Sequence, residues 1–242
     1  MKKRKEDREQ PPETRQSTLR EYFLTTVVCT IFALFVTTYV VHPMTVPTPS
    51  MEPTIMVGDR LLIDKFTVRN GFLKGIFPVA PEHPIQRGDI LVFKFPEEPE
   101  VLYVKRLIGM PGETIDIHDK QVYINGERLE EPYKHHSDSM TYQRRPMPHG
   151  FVNDFQRDNY GPVQIPEGHY FMMGDNRDNS ADSRYWSFLP RSFVVGRPLL
   201  VFWSYEDDPT AHTRTDYVRL YAERVFYFFN KTRWRRTFQF IR

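Results

Sequence analysis

The stretch Thr114–Gly126 reads TIDIHDKQVYING and is the clearest structural pattern in the chain. Two candidate strands, Thr114–His118 and Gln121–Ile124, are separated by a short Asp-containing turn, and Asn125-Gly126 follows the second strand. Asn-Gly after a strand is typical of a tight turn between antiparallel strands. The stretch therefore predicts an antiparallel β-hairpin.

Short apolar runs separated by Gly, Pro and Asp recur on both sides of this hairpin. With 20 Pro, 19 Phe and 13 Tyr in 242 residues, they favour a mainly β, antiparallel domain of barrel-like or sandwich form. Residues 130–168 have little periodicity, so we expect an inserted irregular or β subdomain at about 115–168. The other candidate strands are Arg60–Thr67, Asp89–Phe95, Val101–Ile108, His169–Gly174 and Val194–Trp203.

An uncharged apolar segment precedes the β region. Tyr22–Val41 has twenty residues without a charge, and a helix of that length spans roughly 30 Å, the thickness of the hydrocarbon core of a bilayer. We expect one transmembrane helix at 21–42, which would contain Cys29, the single cysteine. The alternatives are a buried core helix, which usually shows a polar face, and a cleaved signal peptide, which usually has a shorter apolar region.

Charge is distributed unevenly about this segment. Residues 1–20 carry seven Lys or Arg side chains, whereas only Arg60 lies within about twenty residues after the apolar run. The positive-inside rule therefore predicts that residues 1–20 form a cytoplasmic basic N-terminus and that residues 43–242 are extracytoplasmic. After position 20 there are 26 basic and 27 acidic residues, which argues against a nucleic-acid-binding protein.

The chain ends in a basic aromatic segment at about 207–242. Arg214–Arg242 contains eight basic and two acidic residues. Two interpretations stay open: a basic amphipathic helix on anionic lipid, or a helix or strand that packs on the domain and exposes its charges. The apolar residues at helical spacing are Tyr217, Leu220, Tyr221, Val225 and Phe228.

Two segments contain the parts of a nucleophilic site. Ser50 lies in a Pro-rich stretch, 47–54, whose rigid backbone suits a nucleophile, although most serines in such turns only bond locally. Lys105 lies in a candidate strand, where burial could lower the amine pKa from about 10.4 by several units. A neutral amine near Ser50 could take the hydroxyl proton. The ordinary alternative is an edge-strand lysine with its amine in solvent.

A third segment, Gly174–Trp186, mixes acidic, basic and hydroxyl residues at short spacing. It is either a turn with internal Asp–Arg pairs or a rigid bracket that orients a base elsewhere in the chain. Asp178 could begin a calcium loop, but the sixth-position glycine is missing and Leu189 stands at the twelfth position. None of the eight histidines has ligand spacing, so we predict no metal site.

Four motifs follow one another along the chain. They are Ser50-Met51-x-Pro53-Thr54, Gly88-Asp89-Ile90 with Phe93-Lys94, Lys105-Arg106 with Gly109-x-Pro111-Gly112, and Gly174-Asp175-Asn176-Arg177-Asp178-Asn179-Ser180-x-Asp182-Ser183-Arg184. Their order and spacing resemble those of type I signal peptidase, the bacterial leader peptidase with a Ser/Lys dyad. The resemblance covers about residues 20–205.

The resemblance implies a membrane-bound serine endopeptidase, with a peptidase domain at 43–242, that removes N-terminal signal peptides from secreted preproteins. It implies Ser50 as the nucleophile and Lys105 as the general base. Ser180 would bond and orient the amine of Lys105, and Asp182 with Arg184 would brace that loop. No metal or cofactor is needed.

The resemblance also implies an oxyanion hole and substrate pockets. The Ser50 backbone N–H and the hydroxyl of Thr48 would hold the oxyanion; many family members have Ser at this second position. Shallow pockets would admit small side chains at the −1 and −3 positions of the substrate, although ordinary core packing is the alternative for each lining residue. The implied pocket residues are Met44, Val46, Met51, Ile55, Leu61, Val92, Tyr103 and Val104.

The implied partners are preprotein signal peptides, the lipid bilayer and the secretion translocon, in a single-pass protein of the bacterial cytoplasmic (inner) membrane with its catalytic domain on the periplasmic side. The segment between Tyr205 and Trp234 looks longer than the family typically has. Three rival classes are a self-cleaving Ser/Lys repressor relative, a membrane-anchored β binding module with a dead site, and a pilus or adhesion protein. A repressor relative would carry a DNA-binding module, a dead site would lack one of the three site residues, and an adhesion protein leaves the Gly174–Arg184 motif unexplained.

Overall fold

The structure is a computed structural model that describes residues 15–65, 68, 83–141, 154–207 and 217–241. Several sequence expectations fall partly outside these residues. They are most of the basic N-terminus, the end of the candidate strand Arg60–Thr67, residues 142–153 of the expected insertion and residues 208–216 of the C-terminal segment. The chain divides into two units, Met1–Val40 and Val41–Arg242.

The first unit is the apolar helix. Helix α1 spans Arg15–Phe35 and continues as a π-helical turn over Val36–Val40. Within it, Thr18–Val40 is long and apolar enough to cross a membrane, and its most apolar window has no residue buried in protein. The hydroxyls of Thr26, Thr30 and Thr37 donate to carbonyls one turn earlier, as Thr26 does to Tyr22 at 2.8 Å. The polar groups are thus satisfied within the helix, as hydrocarbon surroundings require.

The helical segment and the predicted span 21–42 have different limits. The helix begins before residue 21, and Val41 and His42 already belong to the first strand. Pro43 lacks a backbone N–H and disfavours helical dihedrals in the residue before it. The helix therefore ends before the last residue of the apolar run.

The second unit contains two antiparallel sheets. The first sheet has the order β1 (Val41–Thr45), β2 (Asp59–Asp64), β11 (Val194–Ser204), β3 (Ile90–Lys94), β4 (Leu102–Gly109), β9 (His169–Met173) and β10 (Leu189–Pro190), with β12 (Gln239–Phe240) also paired to β11. The second sheet has the order β7 (Glu127–Arg128), β6 (Gln121–Ile124), β5 (Thr114–His118) and β8 (Tyr160–Gln164). The mainly β, antiparallel fold preceded by an apolar helix is therefore confirmed.

Short helices complete the second unit. They are α2 (Ser183–Trp186), α3 (Tyr217–Phe226) and α4 (Phe228–Lys231), with 3₁₀ turns at Pro49–Met51, Asp154–Arg157 and Arg191–Phe193.

The hairpin strands β5 and β6 have the bounds expected from the sequence, whereas five strands had no predicted counterpart. Strand β1 begins inside the predicted span 21–42 and continues after it into residues without a predicted strand, and β8 contains Gly161-Pro162 within the stretch predicted to be irregular. The remaining three, β7, β10 and β12, are only two residues long, too short for a periodic signal.

Apolar side chains cover both faces of the first sheet. In β3, Val92 belongs to a buried cluster with residues of the 46–63 region, while Leu91 and Phe93 belong to a second cluster with Leu107. Alternate strand residues point to opposite faces, so β3 and β4 are buried on both sides. A polar side chain in β4 is therefore withdrawn from water, which bears directly on Lys105.

Candidate active site

Ser50 lies in the 3₁₀ turn Pro49–Met51, which follows β1. Pro49 begins the turn with a fixed φ, after an extended Thr48 at φ −124°. The side chains of Met51 and Ile55 are fully buried in the core beneath the turn. This packing fixes the backbone around Ser50, whose residue surface is only 6% exposed.

Lys105 is central in β4 and pairs with Leu91 of β3. Its Nζ lies 2.6 Å from the Oγ of Ser50 and 3.3 Å from the carbonyl oxygen of Val104. Burial lowers the pKa of Lys105 to about 8, and Arg184 acts in the same direction. Asp182 and Asp175 act in the opposite direction. An amine with a lowered pKa in contact with a hydroxyl has the geometry that a nucleophile and its general base require.

A cavity of about 420 Å³ opens beside this pair. Ser50, Lys105 and Thr48 line it, and Thr48 is exposed with no capping bond from its side chain. Four of the eight predicted pocket residues also line it: Met44, Val46, Tyr103 and Val104. The other four are fully buried in the adjoining core cluster: Met51, Ile55, Leu61 and Val92. Lining residues to which the sequence assigned no pocket role are Pro47, Pro49, Val101, Leu102, Asn179 and Ala181.

Asp182 and Arg184 form a buried ion pair in the loop that follows β9. The guanidinium donates through Nε and Nη2 to the two carboxylate oxygens, each at 2.8 Å, and Gly174 N donates to Asp182 at 3.1 Å. Burial by itself raises the pKa of Asp182, but the neighbouring Arg184 reverses this and holds the pKa below its usual value. Arg184 Nη2 also donates to the carbonyl oxygen of Arg177 at 2.7 Å, which joins two positions of the same loop.

Ser180 is buried beside the pair, but its contact differs from the predicted one. Among the described residues, no hydrogen bond joins the Ser180 hydroxyl to Lys105. The hydroxyl instead packs against Gly174, where an added Cβ would overlap both Ser180 Oγ and the carbonyl oxygen of Ser50. A glycine is therefore required at position 174, because it lets the loop approach the 3₁₀ turn Pro49–Met51 this closely. This turn is called the nucleophile turn below.

Arg106, Asp175 and Thr54 form a buried chain that the motifs contain but to which the sequence assigned no role. Arg106 donates through Nε and Nη2 to both carboxylate oxygens of Asp175 at 2.7 Å, and Thr54 Oγ1 donates to Asp175 at 2.6 Å. The chain joins β4, the 174–184 loop and the segment after Ser50. The position of Arg106 in the sequence could have predicted this chain. Arg106 follows Lys105 in a strand that is covered on both faces, and its permanent charge therefore needs a buried acidic partner.

Asn176 contacts the nucleophile turn directly. Its backbone N–H donates to the carbonyl oxygen of Ser50 at 3.1 Å, and its side-chain Nδ2 donates to the carbonyl oxygen of Pro49 at 3.2 Å. The Pro49 carbonyl and the Ser50 N–H belong to one peptide group, and the Ser50 carbonyl belongs to the next. By holding both carbonyls, Asn176 fixes the direction of the Ser50 N–H and of the Ser50 side chain between them. Nothing in the local sequence around Asn176 reveals this contact, since its partners lie more than 120 positions away.

Residues that follow β7 also contact this loop. Buried Glu131, just after β7, pairs with Arg177, whose Nη1 lies 3.0 Å from the carboxylate. The backbone of His135 accepts from Arg177 N at 2.9 Å and donates to the carbonyl oxygen of Asp175 at 2.7 Å. The loop is thus bonded both to Pro49 and Ser50 and to residues 131–135.

Comparison with known proteins places this architecture in a family. Residues 19–203 match the family model described as signal peptidase, peptidase S26. The chain belongs to this family. The resemblance drawn from the motifs is therefore confirmed, and the chain is a serine peptidase of the signal peptidase I class.

Individual relatives agree with this assignment. The chain is 37% identical over 196 residues to signal peptidase I of Pseudomonas aeruginosa, covering 72% of this chain and 69% of that protein. It is 34% identical over 201 residues to the probable signal peptidase I-2 of Synechocystis sp., covering 81% and 77%. It is 34% identical over 200 residues to signal peptidase I of Bacillus licheniformis, covering 82% and 96%. The match to the signal peptidase family model ends at residue 203, before α3, α4 and β12.

Proposed function

We propose that the chain is a membrane-anchored endopeptidase that cleaves N-terminal signal peptides from preproteins, after small residues at −1 and −3, by a Ser50/Lys105 dyad. The observation that carries this proposal is the 2.6 Å contact between Lys105 Nζ and Ser50 Oγ, buried at the wall of an apolar cavity. Membership in the signal peptidase family supports the substrate class.

Acylation begins with neutral Lys105. Its Nζ accepts the hydroxyl proton as Ser50 Oγ attacks the scissile carbonyl carbon, and the resulting oxyanion is held by the Ser50 backbone N–H and the Thr48 hydroxyl. The ammonium group of Lys105 then gives its proton to the leaving amine, which departs with the mature protein. The signal peptide remains as an ester on Ser50.

Deacylation repeats the sequence with water. Lys105 accepts a proton from a water molecule that attacks the ester carbonyl, and the collapse of the second tetrahedral intermediate returns that proton to Ser50 Oγ. The signal peptide leaves with a free carboxylate. In both halves the amine must begin uncharged, which its burial in β4 favours.

Substrate would bind in an extended conformation between the two chain segments that form the cavity walls. Residues 44–50 supply one wall and residues 101–105 the other, so main-chain groups border the substrate on both sides. The side chains of Val46, Tyr103 and Val104 narrow the cavity, which is consistent with small residues at −1 and −3.

Three groups around Ser50 act as positioning residues in this proposal. Asn176 holds the Pro49 and Ser50 carbonyls, and Asp175 holds Thr54 four residues after the nucleophile. Gly174 permits the close approach of the loop. Such support keeps the hydroxyl and the oxyanion donors in fixed geometry before substrate arrives.

The proposed location is the bacterial cytoplasmic membrane. The Thr18–Val40 segment has the length and composition of a single-pass anchor. The basic residues before it support a cytoplasmic N-terminus, with the peptidase unit on the periplasmic side, where the secretion translocon would deliver preproteins. Ser50 follows Val41 by nine residues, so the chain tethers the nucleophile close to the membrane surface.

The decisive experiment incubates the detergent-solubilised full chain with a purified preprotein and maps the cut by mass spectrometry. We expect one cut after a small-x-small sequence and its loss in Ser50→Ala and Lys105→Ala. Lys94→Ala is the matched control, since Lys94 is an exposed lysine of the neighbouring strand β3. Full cleavage by either dyad variant would overturn the mechanism, and cleavage of its own chain alone would indicate the self-cleaving class.

A further inference from the structure

Trp186 lies at the end of α2 and has no part in the proposed chemistry. Its half-buried indole ring contacts two phenylalanine rings, with centroid distances of 5.8 Å to Phe93 and 6.1 Å to Phe95. Its Nε1 donates to the carbonyl oxygen of Ala181 at 3.4 Å. Trp186 therefore joins the loop that follows β9 to β3 and to the residue directly after β3.

The contact with Phe95 continues to the substrate cavity. The rings of Phe95 and Tyr103 are nearly parallel, at an angle of 9°, with their centroids 4.4 Å apart. The backbone N–H of Phe95 donates to the carbonyl oxygen of Val101 at 2.9 Å, which holds Phe95 beside β4. We call the rings of Tyr103, Phe95 and Trp186 the aromatic row. Of these three residues, Tyr103 alone lines the cavity.

Both ends of the aromatic row are attached to residues of the cavity wall. Tyr103 is one such residue, and the N–H of Trp186 bonds to Ala181, which is another. Aromatic rings attract one another in stacked and edge-to-face geometries, so each ring of the row restricts the next one. The ring of Tyr103 cannot leave its place unless Phe95 moves, and Phe95 is in contact with Trp186.

The ring of Tyr103 also lies beside the base. Lys105 Nζ is 5.4 Å from the centre of this ring, and the lysine is buried. The position of the ring therefore affects both the width of the cavity next to the dyad and the access of water to the amine.

Ordinary core packing is the alternative role for Trp186. The indole also packs against the buried cluster that contains Phe93 and Leu107. Core packing would explain a lower Tm in a Trp186 variant. It would not explain a change in the size of the side chain that the cavity accepts, so the two roles can be separated by experiment.

We propose that Trp186 is a positioning residue for substrate choice. Acting through Phe95, it holds the ring of Tyr103 in place and so fixes the width of the cavity between Tyr103 and Ala181. Bulky side chains are then excluded because the aromatic row cannot retreat from them. This inference rests on the proposed substrate cavity, and it names a residue outside the cavity wall that sets the size limit at −1 or −3.

Binding alone can measure this size limit, in the full chain with Ser50→Ala so that no peptide is cut. The full chain is used because Arg236 Nη2 lies 2.6 Å from the buried carboxylate of Asp59, in the stretch that leads from Ser50 into β2. Fluorescein-labelled peptides carry alanine at −1 and −3, or leucine at one of these positions, and their anisotropy gives each Kd. We call the Kd of a leucine peptide divided by that of the alanine peptide the size ratio.

Trp186→Ala should lower the size ratio by about tenfold, because a pocket discriminates by roughly that factor or more for each added methylene group. Trp186→Phe keeps a ring against Phe95 and should restore most of the discrimination. Phe188→Ala is the matched control and should leave the size ratio unchanged. Phe188 lies two residues after Trp186, but it packs against a different cluster, with its ring 6.3 Å from that of Phe171.

The route through Phe95 has its own test. Phe95→Leu should lower the size ratio as Trp186→Ala does. The double variant should lower it no further than the larger single effect, because two residues that act through one contact are not additive. Thermal unfolding is recorded for every variant, and Phe95→Leu together with Trp186→Phe tests the aromatic row even where Trp186→Ala does not fold.

Tryptophan emission gives a second readout in Ser50→Ala. An unlabelled alanine peptide should shift the emission to shorter wavelength, because the bound peptide displaces water beside Ala181, to which the indole of Trp186 is bonded. The shift should vanish when Trp186→Phe is added. Trp203 and Trp234 are the other two tryptophans and should contribute a constant background.

Three results would overturn the positioning role. They are a size ratio that changes equally in the Trp186 and Phe188 variants or in neither, additive effects of Trp186→Ala and Phe95→Leu, and an emission shift that persists without Trp186. Peptides that bind to none of the variants would overturn the substrate cavity itself. No readout needs cleavage, so failure of this inference is distinguishable from failure of the Ser50/Lys105 dyad.

Discussion

Lys105 Nζ lies 2.6 Å from Ser50 Oγ, although the two residues are 55 positions apart and approach from different parts of the first sheet. Ser50 comes from a turn held by its buried neighbours, and Lys105 from a strand covered on both faces. Because a charged amine in this position is poorly solvated, the same packing that brings the groups together also favours the neutral base.

The first prediction concerns pH. With the Lys105 pKa lowered to about 8, the fraction of neutral amine falls as the pH drops below that value. We expect kcat/KM for a soluble peptide substrate to fall about tenfold per pH unit below roughly 8 and to level off above it. The Lys94→Ala control should give the same profile. A profile that is flat between about pH 6 and pH 9 would contradict a Lys105 base.

The second prediction concerns stability. Below about pH 8 the amine of Lys105 is charged although it is buried, and this lowers the stability of the folded chain. In the unfolded chain the pKa of the lysine has its ordinary value, so no such penalty arises there. Removing this penalty in Lys105→Met should stabilise the fold by up to about 3 kcal/mol at neutral pH. The advantage should shrink as the pH rises from about 8 towards 10.5, because the unfolded state then loses its proton too.

Thermal unfolding in detergent over this pH range measures the effect. Lys94→Met is the control, since an exposed lysine should give a difference from the unmodified protein that does not change with pH. A Lys105→Met advantage that stays constant up to pH 10 would mean that burial of the amine is not its source.

The third prediction tests Asn176 as a positioning residue. Asn176→Ala removes the donor to the Pro49 carbonyl, a bond worth about 1 kcal/mol, so kcat should fall roughly five- to tenfold with KM little changed. The midpoint of the pH profile should stay near 8, because Lys105 keeps its surroundings. Asn176→Gln should restore part of the rate, and Asn230→Ala, at an exposed residue, should have no effect. Equal losses in the Ala and Gln variants would point to general disruption of the loop.

The fourth prediction separates cavity lining from core. Val104 and Val92 belong to the same buried cluster, but only Val104 also lines the cavity. Val104→Ala should raise kcat/KM for a peptide with valine at −1 or −3, relative to kcat/KM for the matching alanine peptide, by about tenfold. The reason is that one or two methyl groups are worth about 1–3 kcal/mol in a pocket. Val92→Ala should lower the Tm and leave this ratio unchanged. The assay places the valine peptide and the alanine peptide in one reaction and measures the ratio of their cleavage rates. An equal shift of this ratio in Val104→Ala and Val92→Ala would contradict a pocket role that is special to Val104.

Sequence reasoning reached the elements whose signal is local. The strands Thr114–His118 and Gln121–Ile124 have clear turns at their ends, and the apolar helix is a single long run. Ser50 and Lys105 could be paired because family motifs carry spatial information that neither segment holds alone. Strand β8 was missed since Gly161-Pro162 hides its pattern.

The contacts that position the dyad could not be read in the same way. Asn176 with Pro49 and Asp175 with Thr54 join residues more than 120 positions apart, and nothing near either residue specifies its partner. The pocket residues show a second limit. Apolar character alone does not separate a core residue that also borders the cavity, such as Val46, from a core residue that does not, such as Leu61.

The bond between Arg236 and Asp59 has a practical consequence for shortened forms of the enzyme. Asp59 is wholly buried and also bonds Ser204 and the backbone of Met56. A form trimmed after Tyr205, where β11 has just ended, would remove the cation that pairs with this carboxylate and loosen the stretch that leads from Ser50 into β2. Any soluble fragment made for inhibitor screening should therefore retain the chain at least as far as Arg236.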